Sequence, residues 1–249
     1  MIDPASATEP LAYKDADFLD SDDARPIRIL AEYLKPLAVF RRERIDGTIV
    51  FFGSARLTEE GPLGRYYAGA RELARLVTAW SKSLPPTASR PVVCTGGGGG
   101  IMEAANRGAA EAGGRTIGLN IELPHEQVPN PYISRELSFD FRYFFMRKLW
   151  FAHLARALAV FPGGFGTLDE LMEMLTLMQT RKIARKLPIV LYGSSYWNEV
   201  VNLEALVRHG MIDRTHLDLF QFADDPTSAF DILRTRLAAD PAAGSPEFW

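Results

Sequence analysis

The sequence predicts an α/β protein: a Rossmann-like, doubly wound, mainly parallel sheet with helices on both faces. Three observations predict it. From Thr48 onward, short apolar runs alternate with longer stretches of helical spacing, the pattern of strand–helix units. Glycine-bearing turns follow three of the apolar runs, at Gly53-Ser54, Gly96 to Gly100 and Gly163 to Thr167. No repeat and no interior linker interrupts the alternation, so one Rossmann-like domain over residues 25–240, with the N-terminal helix included, is expected. It would be flanked by a loose acidic arm, 1–24, and a loose tail, 241–249.

Each element has its own reason. The arm carries Asp15, Asp17, Asp20, Asp22 and Asp23 and little apolar pattern. From Pro26 to about Arg44, Ile27, Leu30, Tyr33, Leu34 and Leu37 recur at helical spacing, giving an amphipathic helix that would cover a sheet edge or join a subunit interface. Ile49 to Phe52 is the first strand, followed by a helix over about 62–82, which Leu84-Pro85-Pro86-Thr87 breaks. Val92 to Cys94 is a strand running into the glycines, with a helix over Ile101 to Ala112 beyond. Thr116 to Leu119, a Pro-rich loop at about 122–131 and a short strand near Leu137 to Phe139 come next. A helix carrying Arg147 precedes the apolar run Ala157 to Phe161, and a helical pattern spans Leu168 to Thr180. The remainder reads as a strand within Leu187 to Tyr192, a helix from about Tyr196 to His209, a strand near Leu219 to Phe222 and a last helix over about 226–238.

Composition narrows the function. With 249 residues the chain can bury a substantial core. A net charge of −3 argues against a broad nucleic-acid footprint, which needs a basic patch. No apolar run approaches the roughly 20 residues that span a bilayer, so no membrane partner is expected. The N-terminal stretch is polar and acidic rather than leader-like, and the single cysteine, Cys94, excludes an intrachain disulfide; a cytoplasmic location is the expectation. His125, His153, His209 and His216 are scattered without an i, i+4 pair, so no metal site is expected. Cys94 reads as a buried small hydrophobe. No cofactor is expected either. No Gly-x-Gly-x-x-Gly fingerprint opens the first strand, the Walker pattern is absent, and no lysine is singled out for a pyridoxal Schiff base.

The chemistry concentrates in Pro162-Gly163-Gly164-Phe165-Gly166-Thr167-Leu168-Asp169-Glu170. Strand, glycine turn and helix start, in that order, build an anion site: glycines admit a phosphate close to the backbone, and free N–H groups and the helix dipole favour its charge. Thr167 adds a hydroxyl, and Glu170, read as lying in the first helical turn, brings a carboxylate to whatever the phosphate is attached to. In open sheets of this kind ligands sit outside the carboxyl ends of the strands, where all three glycine loops fall.

The nine-residue string fits Pro-Gly-Gly-x-Gly-Thr-x-x-Glu and resembles the signature of the Lonely Guy family, often mislabelled lysine decarboxylase. Its members are phosphoribohydrolases that cut the N-glycosidic bond of nucleoside 5′-monophosphates. Phe144-Phe145-Met146-Arg147-Lys148 resembles that family's Arg-Lys element, and the 23-residue step from Arg147 to Glu170 fits a helix end, a strand and a turn. The resemblance covers roughly residues 47–238. It implies release of free base and ribose 5-phosphate from AMP or an N6-modified AMP such as a cytokinin nucleotide, with Glu170 and Arg147 as the catalytic pair. Gly163, Gly164, Gly166 and Thr167 would hold the phosphate. Gly53, Ser54, Gly97, Gly98 and Gly100 would pass close to the nucleotide, with Met102 and Glu103 behind them. Glu103 could instead simply favour its helix start. Glu173, one turn after Glu170, is either a ribose or water ligand or a solvated charge. Lys148 is read as a surface residue and Asn106 as structural; Asn120 and the Pro124 to Pro131 loop sit where a base pocket could form. A homodimer or higher homo-oligomer is also implied, and Phe141, Tyr143, Phe144, Phe145 and Trp150 supply aromatic surface for an interface or for ordinary core packing.

The chain departs from compact members of that family in its N-terminal arm and helix, its uniform glycine run and the loop Leu119-Asn120-Ile121-Glu122-Leu123-Pro124. It looks more like the longer bacterial branch, in which broader purine and pyrimidine monophosphate nucleosidases occur. The alternative is a non-catalytic nucleotide-binding or molybdenum-cofactor carrier protein of the same fold.

Overall fold

The computed structural model describes residues 9–123, 128–183 and 187–239. Its centre is a sheet of seven strands: β1 (Thr48–Phe52), β2 (Val92–Thr95), β3 (Thr116–Ile121), β4 (Ser138–Phe141), β5 (Ala155–Val160), β6 (Ile189–Tyr192) and β7 (Gln221–Ala223). They lie in the order β4-β3-β2-β1-β5-β6-β7, and every pairing is parallel. β1 is central, with Val50 opposite Cys94 on one side and Leu158 on the other. The chain builds outward from β1 to β4, then crosses back to place β5 on the other side. The strand order therefore reverses between β1 and β5.

Among the described residues the helices are α1 (Ala16–Asp20), α2 (Arg25–Glu43), α3 (Gly64–Ser83), α4 (Ile101–Glu111), α5 (Phe144–Leu154), α6 (Phe165–Gln179), α7 (Ser194–Val200), α8 (Leu203–Arg208) and α9 (Pro226–Ala239). Because side chains alternate across a strand, β1 divides its apolar residues between two cores. Ile49 and Phe51, with Val93, Ala157, Ala159 and Val190, meet α3, α4 and α9. Val50 and Phe52, with Cys94, Leu158, Val160 and Leu191, meet α2, α5 and α6. Central strands buried on both faces explain why their sequences are apolar throughout.

The helix pair α3/α4 packs at backbone distance. A Cβ on Gly108 would lie 1.9 Å from the Arg71 carbonyl oxygen of α3. Gly108→Ala is expected to push the helices apart, destabilising the fold by about 2 kcal/mol and lowering the melting temperature by several degrees; thermal denaturation followed by circular dichroism checks this.

Three expectations change. The acidic arm holds ordered structure: a 3-10 turn at Ala12–Lys14 and α1, whose start Asp15 caps by accepting from the Phe18 N–H at 3.1 Å. Arg28 of α2 ties the segment down by donating to the Leu19 and Ser21 carbonyls at 2.5 and 2.6 Å. Charge density hid this, because the partners are backbone oxygens rather than an apolar stripe. The helix expected over Tyr196 to His209 is two, since Asn202 starts α8 afresh by accepting from the Ala205 N–H at 2.9 Å. The strand expected at Leu219 to Phe222 is a 3-10 segment, Arg214–Leu219, followed by β7. The tail at 241–249 lies outside the described residues, as do the first eight residues of the arm.

Candidate active site

β1, β2 and β5 end side by side, and the glycine loops that follow them interlock. The Ser54 N–H donates to the Pro162 carbonyl, and the Ile101 N–H donates to the Ser54 carbonyl, both at 3.0 Å. A Cβ on Gly163 would fall 3.0 Å from the Ser54 nitrogen, and one on Gly53 would fall 2.7 Å from Ile101. Gly100, with φ +64°, is pressed against the Ser54 carbonyl. Three separate turns thus form one crevice, at the point where the strand order reverses.

On the β5 side, α6 begins at Phe165 rather than Leu168, so Gly164 is its N-cap and Gly166 falls within its first turn. Glycine is a weak helix former, and the expectation placed the start at the first apolar repeat; the structure corrects it. Glu170 therefore stands in the second turn. The Leu168 N–H closes on the Gly164 carbonyl at 3.0 Å, leaving the earlier N–H groups without an intrahelical acceptor. Nothing stands within 4 Å of the Cβ positions of Gly164 and Gly166, and Phe165 is 93% exposed. Thr167 is buried against Gly163. The Tyr196 hydroxyl of α7, expected only as part of a helix, donates to the Gly163 carbonyl at 2.7 Å.

α5 delivers Arg147 to the same place. Its guanidinium is buried: Nε donates to the Leu119 carbonyl at 2.7 Å, and Nη1 lies 3.6 Å from Glu170 Oε1. That separation makes an ion pair rather than a hydrogen bond, leaving room in the carboxylate's coordination. The guanidinium carbon is 5.2 Å from the Phe151 ring centroid. Gly96 makes space for it, since a Cβ there would lie 2.2 Å from Arg147 Nη2 and 2.8 Å from the Met102 sulfur. Gly96 is not among the residues of the run named for the site from the sequence; its part is visible only against Arg147.

Burial pushes the Glu170 carboxyl up to about 7, against the opposing pull of Arg147. Burial also lowers Arg147, with Glu170 pulling the other way. Cys94 lies beneath both, and burial drives its thiol far up, which makes it a packing residue and not a nucleophile.

The other candidates divide. Lys148, read as a surface residue, is half-buried and bridges carboxylates: Nζ sits 3.0 Å from Asp169 and 3.1 Å from Glu173 Oε2. The Glu173 carboxylate is thereby engaged by Lys148. Glu103 accepts from the Tyr67 hydroxyl of α3 at 3.0 Å, so its carboxylate serves the α3/α4 contact. Gly97 takes φ +77°, and a Cβ there would lie 1.9 Å from Asn120 Oδ1. Asn120 donates to the Phe139 carbonyl at 3.0 Å, while Oδ1 is buried without a hydrogen bond. Asn106 is internal, accepting from Thr95 Oγ1 at 2.7 Å. Of the loop expected near a base, Pro124 to Gln127 lie outside the described residues. Among the described residues no group of three or more His, Cys, Asp or Glu side chains is placed to hold a metal ion, and no helix is long and apolar enough to cross a membrane.

A doubly wound parallel sheet, with three glycine loops and an arginine–carboxylate pair at its reversal point, defines an α/β protein of the Rossmann-like class. The chain belongs to the family described as possible lysine decarboxylase, the Lonely Guy family, whose model matches residues 102–233. A relative in Oryza sativa subsp. japonica, "Probable cytokinin riboside 5'-monophosphate phosphoribohydrolase LOG4", is 28% identical over 142 residues, 54% of this chain and 58% of that protein. The "Pyrimidine/purine nucleotide 5'-monophosphate nucleosidase" of Escherichia coli K12 is 32% identical over 111 residues, 41% of this chain and 24% of that protein. The matched segment thus spans just over half of one relative and a quarter of the other. Among solved structures, the molybdenum cofactor binding protein from Rippkaea orientalis aligns with a TM-score of 0.54 at 19% identity, covering 76% of this chain and 96% of that one. The Moco carrier protein of Chlamydomonas reinhardtii aligns at 0.52 and 23%, covering 78% and 99%. These two structures share the fold.

Proposed function

We propose that this protein hydrolyses the N-glycosidic bond of nucleoside 5′-monophosphates, releasing free base and ribose 5-phosphate, with AMP and N6-modified AMP as the leading substrates. The observation that carries the reading is the buried Arg147–Glu170 pair at the mouth of three glycine loops, at 3.6 Å. The phosphate would rest on the open N–H groups of Gly164, Gly166 and Thr167, where the α6 dipole favours it. The C1′–N bond then breaks with its electron pair leaving on the base, and positive charge develops on the ribose. The Glu170 carboxylate stabilises that charge and takes a proton from the water that attacks C1′. A carboxyl titrating near 7 suits the second task, since at neutral pH it accepts the water's proton and returns it to the departing base nitrogen, so that the base leaves neutral and the carboxylate is restored. Arg147 offers fixed positive charge to the phosphate or the departing base and holds the Glu170 carboxyl lower than burial alone would place it. The relatives named for this chemistry support the reading.

The test is base release from AMP, GMP, CMP, UMP and isopentenyl-AMP, followed by chromatography, with Glu170→Gln beside the parent. Release that disappears in the variant supports the hydrolase. Tight binding with no turnover, unchanged in the variant, would move the protein to the nucleotide- or cofactor-carrier reading. Within the hydrolase reading, Gly96→Ala is expected to displace the Arg147 guanidinium and reduce kcat/KM about a hundredfold with little change in melting temperature, since a misplacement near 1 Å at a reacting centre costs that much.

We also read the protein as a homo-oligomer. Phe144 and Phe145, about half exposed beside the catalytic helix, and Ile27, Leu30 and Leu34 along α2 form an apolar surface that supports pairing of two copies. Light scattering on the purified chain tests it.

A further inference from the structure

The glycine run cannot hold its own shape, because five successive glycines have the most freedom a backbone can have. Something outside the run must set it. The structure assigns that task to Asn130: we propose that it is a positioning residue that turns the Gly97 and Gly98 carbonyls inward and so aims the Gly98 and Gly99 N–H groups at the nucleotide. The inference rests on the nucleotide reading of this crevice.

Asn130 lies in the loop between β3 and β4 and is 7% exposed. Its side-chain Nδ2, with two hydrogens to share, lies within hydrogen-bond distance of three acceptors: the Gly97 carbonyl at 3.1 Å, the Gly98 carbonyl at 3.0 Å and Asn106 Oδ1 at 2.9 Å. Its own N–H donates to the Gly97 carbonyl at 2.8 Å. Its Oδ1 accepts from the Tyr132 N–H at 3.2 Å, which fixes which end of the amide faces the glycines. The anchor behind it is rigid: Asn106 is held by Thr95, and the Thr95 hydroxyl also accepts the Gly97 N–H at 3.0 Å.

The consequence follows from peptide geometry. In a trans peptide the C=O of one residue and the N–H of the next point in opposite directions. With the carbonyls of 97 and 98 tied to Asn130, the N–H groups of Gly98 and Gly99 point away from it. Neither has a backbone acceptor among the described residues. Two successive N–H groups aimed the same way, after a left-handed residue such as Gly97 at φ +77°, make a concavity for an oxygen anion. The run is also in the right place. Its first glycine abuts Arg147, and its last two approach the Ala55 and Ser54 carbonyls of the β1 loop, so it spans the crevice from the catalytic arginine to the phosphate side.

Asn130→Asp tests the clamp with almost no change in size, because it puts a carboxylate oxygen where the donor faces two carbonyls. The expected result is a KM for AMP raised at least about tenfold, with kcat within about fivefold of the parent, since ground-state binding is what the loop provides. Ribose 5-phosphate affinity, measured by titration calorimetry, should fall by the same factor. A KM and an affinity within twofold of the parent would overturn the proposal. Asn130→Ala, which removes the donor without adding repulsion, carries the same comparison if the aspartate variant does not fold. The parent chain supplies a third arm that needs no variant. Ribose 5-phosphate should shift the amide resonances of Gly98 and Gly99 in a glycine-labelled sample, and binding that leaves both unmoved would sink the clamp. If the parent binds ribose 5-phosphate but releases no base, the hydrolase reading fails, and the binding arms still decide the role of Asn130.

Discussion

Glu170→Gln is expected to lower kcat by about a thousandfold or more while making the folded chain more stable above neutral pH. Both effects come from the same burial. The ordinary value for a glutamate is 4.5, and in the folded chain Glu170 titrates at about 7 even with Arg147 beside it. Below about pH 4.5 the carboxyl is protonated in both states, so its charge costs nothing. Between about 4.5 and 7 the unfolded chain releases its proton first, and stability falls as pH rises. Above 7 the loss is complete, at about 3 kcal/mol for a shift of this size. Glutamine keeps the shape and never carries the charge, so the variant should match the parent near pH 4.5 and melt about 6 °C or more above it at pH 8. Thermal melts of both proteins across that range, with base release at each pH, check the pair of effects together. The parent's kcat/KM should rise through an apparent pKa near 7, because the free protein must ionise Glu170 before water can be activated.

Arg147→Met is expected to reduce base release by a similar factor, about a thousandfold, by a different route. The methionine fills most of the volume but removes the charge 3.6 Å from Glu170 and the donor to the Leu119 carbonyl. Glu170 loses the one nearby pull that lowers its pKa most, so the acid limb of any residual activity should move to higher pH. The Leu119 carbonyl loses its side-chain partner, which costs about 1–3 kcal/mol if water does not replace it. Arg147→Lys should not rescue, because an ammonium cannot hold Leu119 through a fixed Nε–H and still present a fork to Glu170. Steady-state kinetics from pH 5 to 9 on both variants would show this; activity within tenfold of the parent in either one would remove Arg147 from the mechanism.

Much of the architecture was legible because it rests on local signals. Short apolar runs such as Ile49 to Phe52 and Ala157 to Phe161 could satisfy both faces only inside a parallel sheet, and the glycine turns after them marked the carboxyl ends. The Arg147 and Glu170 pairing was legible through motif resemblance and spacing. What the sequence left open or misjudged depended on partners far along the chain. Glu103, left between a place behind the glycine run and a helix-start charge, stands in the first turn of α4 with its carboxylate engaged by Tyr67 of another helix. Lys148 reads as a surface charge until Asp169 and Glu173 converge on it from α6. The start of α6 was misplaced because glycine carries no helical preference, while tertiary support from Tyr196 and Ser54 holds those residues in a turn.

Hydrophobic pattern and composition, which are local properties, determined the class of fold and most of the order of its elements. The resemblance of two short motifs picked out the charged pair. The shapes of the glycine loops, the raised titration of Glu170 and the clamp at Asn130 were decided only in three dimensions. A glycine's conformation, a carboxylate's solvation and an amide's choice of partner are set by whatever packs against them, and those neighbours are brought together only by the fold.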